Sequence, residues 1–174
     1  MNIRKSVFIF TFLLFSIGSW AQSSHDTDRP ASAGDVFIGY SLLNGDTLSH
    51  GSGWEAALTG NVHPWLGFKA DFSGNYKSEA GLEGREYNVL FGPQVSHRMD
   101  KFNIFVHGLL GVAHFSQDAG PSSTGAGWVL GGGVDYDLGS NFALRPIQLD
   151  YHGSHIFSTT QKDARYSLGI VYRF

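Results

Sequence analysis

Residues 165–174 read Arg165-Tyr166-Ser167-Leu168-Gly169-Ile170-Val171-Tyr172-Arg173-Phe174. Every second side chain, from Tyr166 to Phe174, is apolar, whereas positions 165, 167, 169 and 173 carry Arg, Ser, Gly and Arg. Successive side chains of an extended strand point to opposite faces. This period of two therefore predicts a β-strand with one apolar and one polar face.

The same alternation recurs along the chain after Gly34, eight times in all. No segment after Gly34 shows a sustained apolar period of 3.6 residues, which a helix would require. The sequence therefore predicts an all-β fold with eight strands. Apolar faces are formed by every second residue of 36–42, 54–62, 66–72, 87–95, 104–112, 128–136 and 166–174.

The seventh strand interrupts this pattern. In residues 142–144 the apolar side chains are at even-numbered positions, whereas in residues 147–151 they are at odd-numbered positions. The two segments therefore have opposite parity, which means that their apolar side chains would point to opposite faces of one strand. A β-bulge at Arg145-Pro146 would restore one apolar face, since an extra residue reverses which side faces where. Proline suits a bulge because it has no N–H to donate. Pro93, inside the fourth strand, predicts a second bulge for the same reason.

Composition narrows the class of protein. The 174 residues suffice for one domain, and the absence of cysteine excludes disulfides and thiolate metal sites. Charged residues make up only 16% of the chain, and glycine and aromatic residues are frequent. This composition favours strands and turns over helices.

The polar face of the strands carries charges of both signs in mid-strand and many glycines. A narrow barrel lumen is filled well by glycine beside a few long, paired charged side chains. The apolar face is aliphatic in mid-strand and aromatic at the ends, as is typical of a lipid-facing surface. We therefore predict an eight-stranded antiparallel up-and-down transmembrane β-barrel with an inward charge network, which includes at least one salt-bridge cluster. Its members are Glu55, Lys69, Asp71, Glu86, Asp135, Arg145, Asp150 and Arg165.

Aromatic side chains are predicted to form two girdles at the membrane–water interfaces, where rings with a polar edge settle. One girdle would lie near the periplasm and the other near the cell exterior. The periplasmic set is Trp65, Phe102, Tyr136, Phe142, Tyr172 and Phe174, and the outer set is Trp54, Tyr76, Tyr87, Trp128, Tyr151 and Tyr166.

The predicted connections differ in length. Short turns are expected at residues 63–65, 99–101 and 138–141, and longer loops at residues 43–52, 77–84, 116–125 and 153–163. Short periplasmic turns and longer extracellular loops are usual in outer-membrane barrels. The even number of strands would bring both termini to the periplasm, and closure would leave no unpaired edge in lipid.

The first residues are typical of a secretory signal peptide. Arg4 and Lys5 precede an apolar run from Val7 to Ile17, and Ser19-Trp20-Ala21 offers small residues for cleavage after Ala21. Cleavage would leave ten basic against 15 acidic residues, a net charge of −5 that argues against nucleic-acid binding. We predict a signal peptide at residues 1–21, a disordered periplasmic leader at 22–34 and the barrel at 35–174.

Residues 35–174 resemble the OmpA/OmpX-like outer-membrane β-barrel family, whose members are often named porin family or opacity-like proteins. The C-terminal strand resembles the family's assembly signal, with Ser167, Gly169, Tyr172 and Phe174 at its key positions. The resemblance implies recognition by the outer-membrane assembly machinery. Residues 131–136 and 141–145 are also similar to the family's hairpin between strands six and seven. No peptidoglycan-binding domain is expected after the barrel.

Side chains fill the lumen of an eight-stranded barrel. We therefore expect a plugged, non-enzymatic protein of the outer membrane of a Gram-negative-type bacterium, with a structural or surface-interaction role. Expected partners are outer-membrane lipids, lipopolysaccharide, the outer-membrane assembly machinery and an extracellular ligand bound through the loops, with the protein as a monomer. A small-solute channel is one alternative.

A lipid A deacylase is the other alternative, since His152-Gly153-Ser154 matches part of the deacylase motif. Asn usually follows that serine, but His155 stands here, and we expect His152 inward and Ser154 in a loop. A serine nucleophile needs a base and an orienting acid within reach. The histidines at 50, 152 and 155 have no confirming ligand spacing, so no metal and no cofactor are predicted.

Overall fold

The computed structural model describes residues 32–45, 50–79, 82–117, 120, 122–156 and 159–174. Eight antiparallel strands form a closed barrel in which each strand pairs with its neighbours in sequence and β8 closes onto β1. The strands are β1 (Gly34–Gly45), β2 (Gly51–His63), β3 (Leu66–Glu79), β4 (Leu82–Arg98), β5 (Phe102–Gln117), β6 (Ser123–Gly139), β7 (Phe142–Ile156) and β8 (Thr159–Arg173). The predicted all-β, eight-stranded class is confirmed.

The barrel has two ends, which we name by what they carry. The terminal end carries Gly34 and Phe174, whose backbones exchange hydrogen bonds of 3.2 and 3.0 Å. The distal end carries the links from β1 to β2, β3 to β4, β5 to β6 and β7 to β8. The predicted signal peptide and residues 22–31 lie outside the described residues, whereas Asn61 binds the carbonyl oxygens of Ser32 and Ala33.

The predicted bulge in β7 is confirmed. Arg145 pairs with Gly169 of β8, and the next pair along the ladder is Gln148 with Ser167. Three residues of β7 therefore span two residues of β8, which reverses the parity of β7 at Arg145-Pro146.

The predicted bulge at Pro93 is wrong. Phe91 pairs with Leu110, and Gln94 pairs with His107, so both strands advance by three residues. The register is unshifted, and the ladder to β5 omits the two pairs in between. A residue without an N–H is accommodated by losing ladder hydrogen bonds rather than by adding a residue.

The distal strands are longer than the sequence predicted. Only residues 46–50, 80–81, 118–122 and 157–158 separate the strands at this end, so the expected boundaries of the long loops are wrong. The terminal-end turns are short, as expected, with residues 64–65, 99–101 and 140–141 between strands. The distal segments pair in register although they carry few apolar residues, because the ladder is formed by backbone N–H and C=O groups.

The two faces of the barrel wall differ in exposure. Outward side chains are apolar and exposed, as shown by Leu110 at 71%, Ile38 at 66% and Leu130 at 64%. Inward side chains are buried, and most of them are polar. Within the described ranges, no helix is long and apolar enough to cross a bilayer.

The interior is less polar than predicted. Buried apolar residues lie among the inward charges in two clusters. One contains Phe37, Ala57, Ala143 and Val171, and the other contains Leu90, Leu109 and Val129. Together with Phe105, these residues have the parity of the polar face, and they fill space that the charged side chains leave open.

Candidate functional site

The centre of the lumen is occupied by Arg165 of β8, which is fully buried. Its guanidinium binds Asp71 of β3 through two hydrogen bonds of 3.1 Å, the paired geometry that suits a carboxylate. It also binds Asp150 of β7 at 2.6 and 3.0 Å and Ser73 at 2.8 Å. All five N–H donors of Arg165 therefore have acceptors.

Glu55 of β2 extends this cluster. Its carboxylate lies 3.3 Å from the Lys69 ammonium and 3.5 Å from the Arg165 Nε. It accepts hydrogen bonds from Ser167 Oγ at 2.6 Å and from Gln148 Nε2 at 2.8 Å. Lys69 also lies 3.2 Å from Asp71, so the two cations and their carboxylates form one connected network.

Arg145 of β7 forms a second layer towards the terminal end. It donates to Asp135 at 2.7 and 3.3 Å and to Gln148 at 2.8 Å. Its guanidinium lies between two aromatic rings, 4.4 Å from the centre of Phe37 and 4.2 Å from that of Phe105. Strands β1 and β5 are on opposite sides of an eight-stranded barrel, so this sandwich spans the lumen.

Two glycines leave room for those rings. A Cβ at Gly133 would meet the Phe105 ring at 2.8 Å, and a Cβ at Gly39 would overlap the Phe37 ring. Both glycines have inward parity, which explains why the polar face is rich in glycine where it lies against large side chains.

Seven of the eight predicted network residues are brought together in these two layers. Gln148 connects the layers, since its Nε2 donates to both Glu55 and Asp150 and its Oε1 accepts from Arg145. Glu86, the eighth, is also buried, but it accepts its hydrogen bond from Asn88 at 3.1 Å.

The burial of these charges determines what the network does. A buried ion costs several kcal/mol of desolvation, roughly, which is offset only where its partners and hydrogen bonds are complete. Arg165 meets that condition. His107 lies 3.0 Å from Asp150 and stacks on Phe105 at 5.8 Å, which adds a further side chain to the packed cross-section.

A separate set of ion pairs lies at the terminal end. Arg173 lies 3.1 Å from Asp137, 3.5 Å from Asp135 and 3.7 Å from Asp35, and Arg98 lies 3.6 Å from Asp35. Asp135 therefore joins the rim to the Arg145 layer. Arg98 was not predicted as an interior charge, although its inward parity in β4 could have identified it.

Phe37 and Phe105 were also missed as interior residues. Both have the parity of the polar face, and Phe105 pairs directly with Gly133 on the next strand. A large side chain opposite a glycine on the inward face is the signal that could have identified the sandwich.

The predicted girdle residues lie outward and cluster by end. At the distal end Trp54 donates to the Tyr76 hydroxyl at 3.3 Å, Tyr76 packs against Tyr87 at 5.9 Å, and Trp128 packs against Tyr151 at 5.6 Å. Tyr166 is half exposed there. At the terminal end the ring pairs are Phe102 with Tyr136 and Phe142 with Tyr172, each at 5.2 Å, and Trp65 is 53% exposed.

The residues of the predicted assembly signal face both ways. Ser167 and Gly169 point into the lumen, where Gly169 pairs with Gly39 and with Arg145. Tyr172 and Phe174 lie outward, 6.4 Å apart and exposed.

The residues of the deacylase motif lie within β7 and not on the lipid-facing wall of the barrel. Ser154 was expected in a loop, but it lies within β7 because that strand continues to Ile156. His152 and Ser154 are each 3% exposed on the inward face, away from lipid. No group of three potential metal ligands occurs among the residues that the structure describes.

The comparisons with known proteins agree with this geometry. The profile described as "Outer membrane protein beta-barrel domain" matches residues 10–174. The chain belongs to this family. Its members are proteins of the bacterial outer membrane, which is where this barrel with its apolar outer wall is placed.

Solved structures show the same fold. Neisserial surface protein A (NspA) matches with a TM-score of 0.72 at 16% identity, over 84% of this chain and 100% of that chain. Ail, the attachment invasion locus protein of Yersinia pestis, matches with a TM-score of 0.58 at 22% identity, over 83% and 100%. Ail in complex with the heparin analogue sucrose octasulfate matches with a TM-score of 0.55 at 19% identity, over 83% and 100%. The search of curated proteins gave no match.

Proposed function

We propose that this protein is a non-conducting outer-membrane barrel with a structural and surface-interaction role. The observation that carries the proposal is the saturated guanidinium of Arg165, which joins β8 to β3 and β7 across the lumen. The Phe37–Arg145–Phe105 sandwich closes the lumen a second time, nearer the terminal end. An ion would have to break the buried contacts of Arg165 and Arg145 to pass.

Conductance in planar bilayers tests this proposal. The wild-type protein, purified from membranes, should show no stable openings. The variant Phe37→Ala with Phe105→Ala removes both rings of the sandwich and should give small, irregular conductance steps. The matched control is Ile38→Ala with Ile104→Ala, which truncates two outward neighbours and should stay silent.

Stable, well-defined openings of the wild-type protein would overturn the plug and favour the small-solute channel. Each variant must first show a heat-modifiable band in the outer-membrane fraction, which establishes that the barrel is folded. Absence of the wild-type protein from that fraction would overturn the proposed location.

We further propose that the distal end faces the cell exterior and presents the interacting surface. This orientation follows from the periplasmic termini expected for a barrel that enters after signal-peptide cleavage at Ala21. It makes the terminal-end rings the periplasmic girdle and the distal rings the outer one. Tyr172 and Phe174 would then be available to the assembly machinery in the periplasm.

A sulfated saccharide is the first ligand to test, because the neighbour Ail was crystallised with one. Binding of sucrose octasulfate to the purified protein would be measured by calorimetry, with sucrose as the uncharged control. Saturable binding that Arg85→Gln weakens would support ligand contact at the distal end. Heat changes equal to those of sucrose would exclude this ligand class.

A further inference from the structure

A groove of about 260 Å³ lies on the outward face of β6, β7 and β8. Its apolar lining is Leu130, Leu149, Tyr151, Ala164 and Tyr166, and the inward-facing Asp150 and Arg165 complete its floor. It is smaller than the roughly 300–1,000 Å³ of pockets that enclose drug-sized molecules. Its size and apolar walls fit a stretch of a single hydrocarbon chain.

The groove exists because of one small side chain. Ala164 pairs directly with Tyr151 on β7, and Tyr166 follows it on the same face of β8. Where a larger residue would bring the surface level with the two rings, the methyl group of Ala164 leaves a recess. The recess is at the height of the distal aromatic residues, at the boundary between hydrocarbon and headgroups.

A lysine follows this recess on the same face of β8. Lys162 is exposed, has the outward parity of Ala164 and is two residues nearer the distal end. It pairs with Gly153 on β7, against which the Trp128 ring lies. His155, which contacts Thr160 at 3.4 Å, continues the polar surface beyond it. An apolar recess below an ammonium group matches the layout of an anionic lipid.

We propose that this groove binds one acyl chain of a phosphorylated outer-leaflet lipid, with the phosphate beside Lys162. The proposal rests on the proposed function, because it requires the distal end to lie at the outer leaflet. Lipid chains are as apolar as the groove, so the chain itself gains packing but no hydrophobic driving force. Selection among lipids therefore comes from the charge at Lys162.

Native mass spectrometry of the purified protein would test the site. The probes are diphosphorylated lipid A and the same lipid A without its phosphates, in one detergent. We expect one retained molecule per barrel, with about fivefold preference for the phosphorylated form, the effect of one Lys beside an anionic headgroup. Equal retention of both probes by the wild-type protein would overturn the role of Lys162.

Two pairs of variants make the test specific. Ala164→Trp fills the groove and should abolish retention of both probes, whereas Ala70→Trp, outward on β3 on the opposite side, should not. Lys162→Gln should remove the preference for phosphate and keep chain binding. Lys101→Gln, in the terminal-end turn between β4 and β5, should leave both unchanged.

Identical lipid retention by the Ala164→Trp and Ala70→Trp proteins would contradict the proposal that the groove binds an acyl chain. This failure is distinguishable from failure of the proposed function. Every variant must retain its heat-modifiable folded band in the outer-membrane fraction and its silence in planar bilayers, and those measurements do not depend on the groove.

Discussion

The guanidinium carbon of Arg145 lies 4.2 Å from the centre of the Phe105 ring, although β7 and β5 are not neighbours. The contact crosses the lumen and holds a cation over an aromatic face in a buried site, where such pairs contribute roughly 2 kcal/mol or more. The opposite ring, Phe37, completes the sandwich. Packing therefore crosses the lumen at this level, in addition to the ion pairs.

Arg145→Met should destabilise the barrel by about 3 kcal/mol, because it removes the shortest ion pair of the buried Asp135 and leaves Arg173, at 3.5 Å, as its ion-pair partner among the described residues. Urea unfolding followed by tryptophan fluorescence would measure the free energy of unfolding. The control is Leu144→Met, the outward neighbour, which should cost less than about 1.5 kcal/mol. Equal unfolding free energies for both variants would contradict a structural role for the Arg145 layer.

Phe37→Ala and Ile38→Ala compare adjacent residues on opposite faces of β1. Phe37 is 2% exposed and Ile38 is 66% exposed. Removing the Phe37 ring leaves a cavity and should cost about 3–5 kcal/mol. The Ile38 change should cost less, since lipid chains occupy the space left behind. A larger loss for Ile38→Ala, in the same unfolding assay, would mean that the faces are reversed.

Leu110→Arg tests whether the outward face contacts hydrocarbon. Leu110 is 71% exposed in mid-strand, and a charge there should cost about 2–4 kcal/mol if it lies near the bilayer midplane. Ser140→Arg, in the terminal-end turn, should cost about 0–1 kcal/mol. Folding yield into lipid vesicles and the free energy of unfolding would be compared. Similar values for the two variants would place this face in water.

Tryptophan depth tests the two girdles. Proteins that retain only Trp54, Trp65 or Trp128, with the other tryptophans changed to Phe, would be reconstituted with lipids brominated at different depths. Each fluorophore should be quenched most by bromine close to the headgroups, because rings with an N–H settle there. Strongest quenching by bromine at the chain ends, for any of the three, would remove that residue from its girdle.

Much of the architecture could be predicted from periodicity. The parity of side chains from 36 to 174 identified the strands, the two faces and the bulge at Arg145-Pro146, because a strand exposes alternate residues to one environment. Pro93 was misread since two explanations of an in-strand proline, a bulge or lost ladder bonds, leave the same local sequence. The distal loops were misread because polar hairpins carry no apolar alternation to follow.

The candidate site was less predictable. Parity placed Glu55, Asp150 and Arg165 on the inward face, but it carries no information about which carboxylate meets which cation. Those contacts depend on barrel closure, which brings β8 within reach of β3. The same closure places Phe37 and Phe105 on either side of Arg145.

By itself, the sequence determined the class of fold, the number of strands and the environment of each face. These properties are local, since they follow from the alternation of successive side chains between the two faces of each strand. Only the tertiary structure decided the pairing of the interior charges, the aromatic sandwich and the groove at Ala164. These depend on distances between strands far apart in sequence, which are set once the sheet closes and the register of all eight ladders is established.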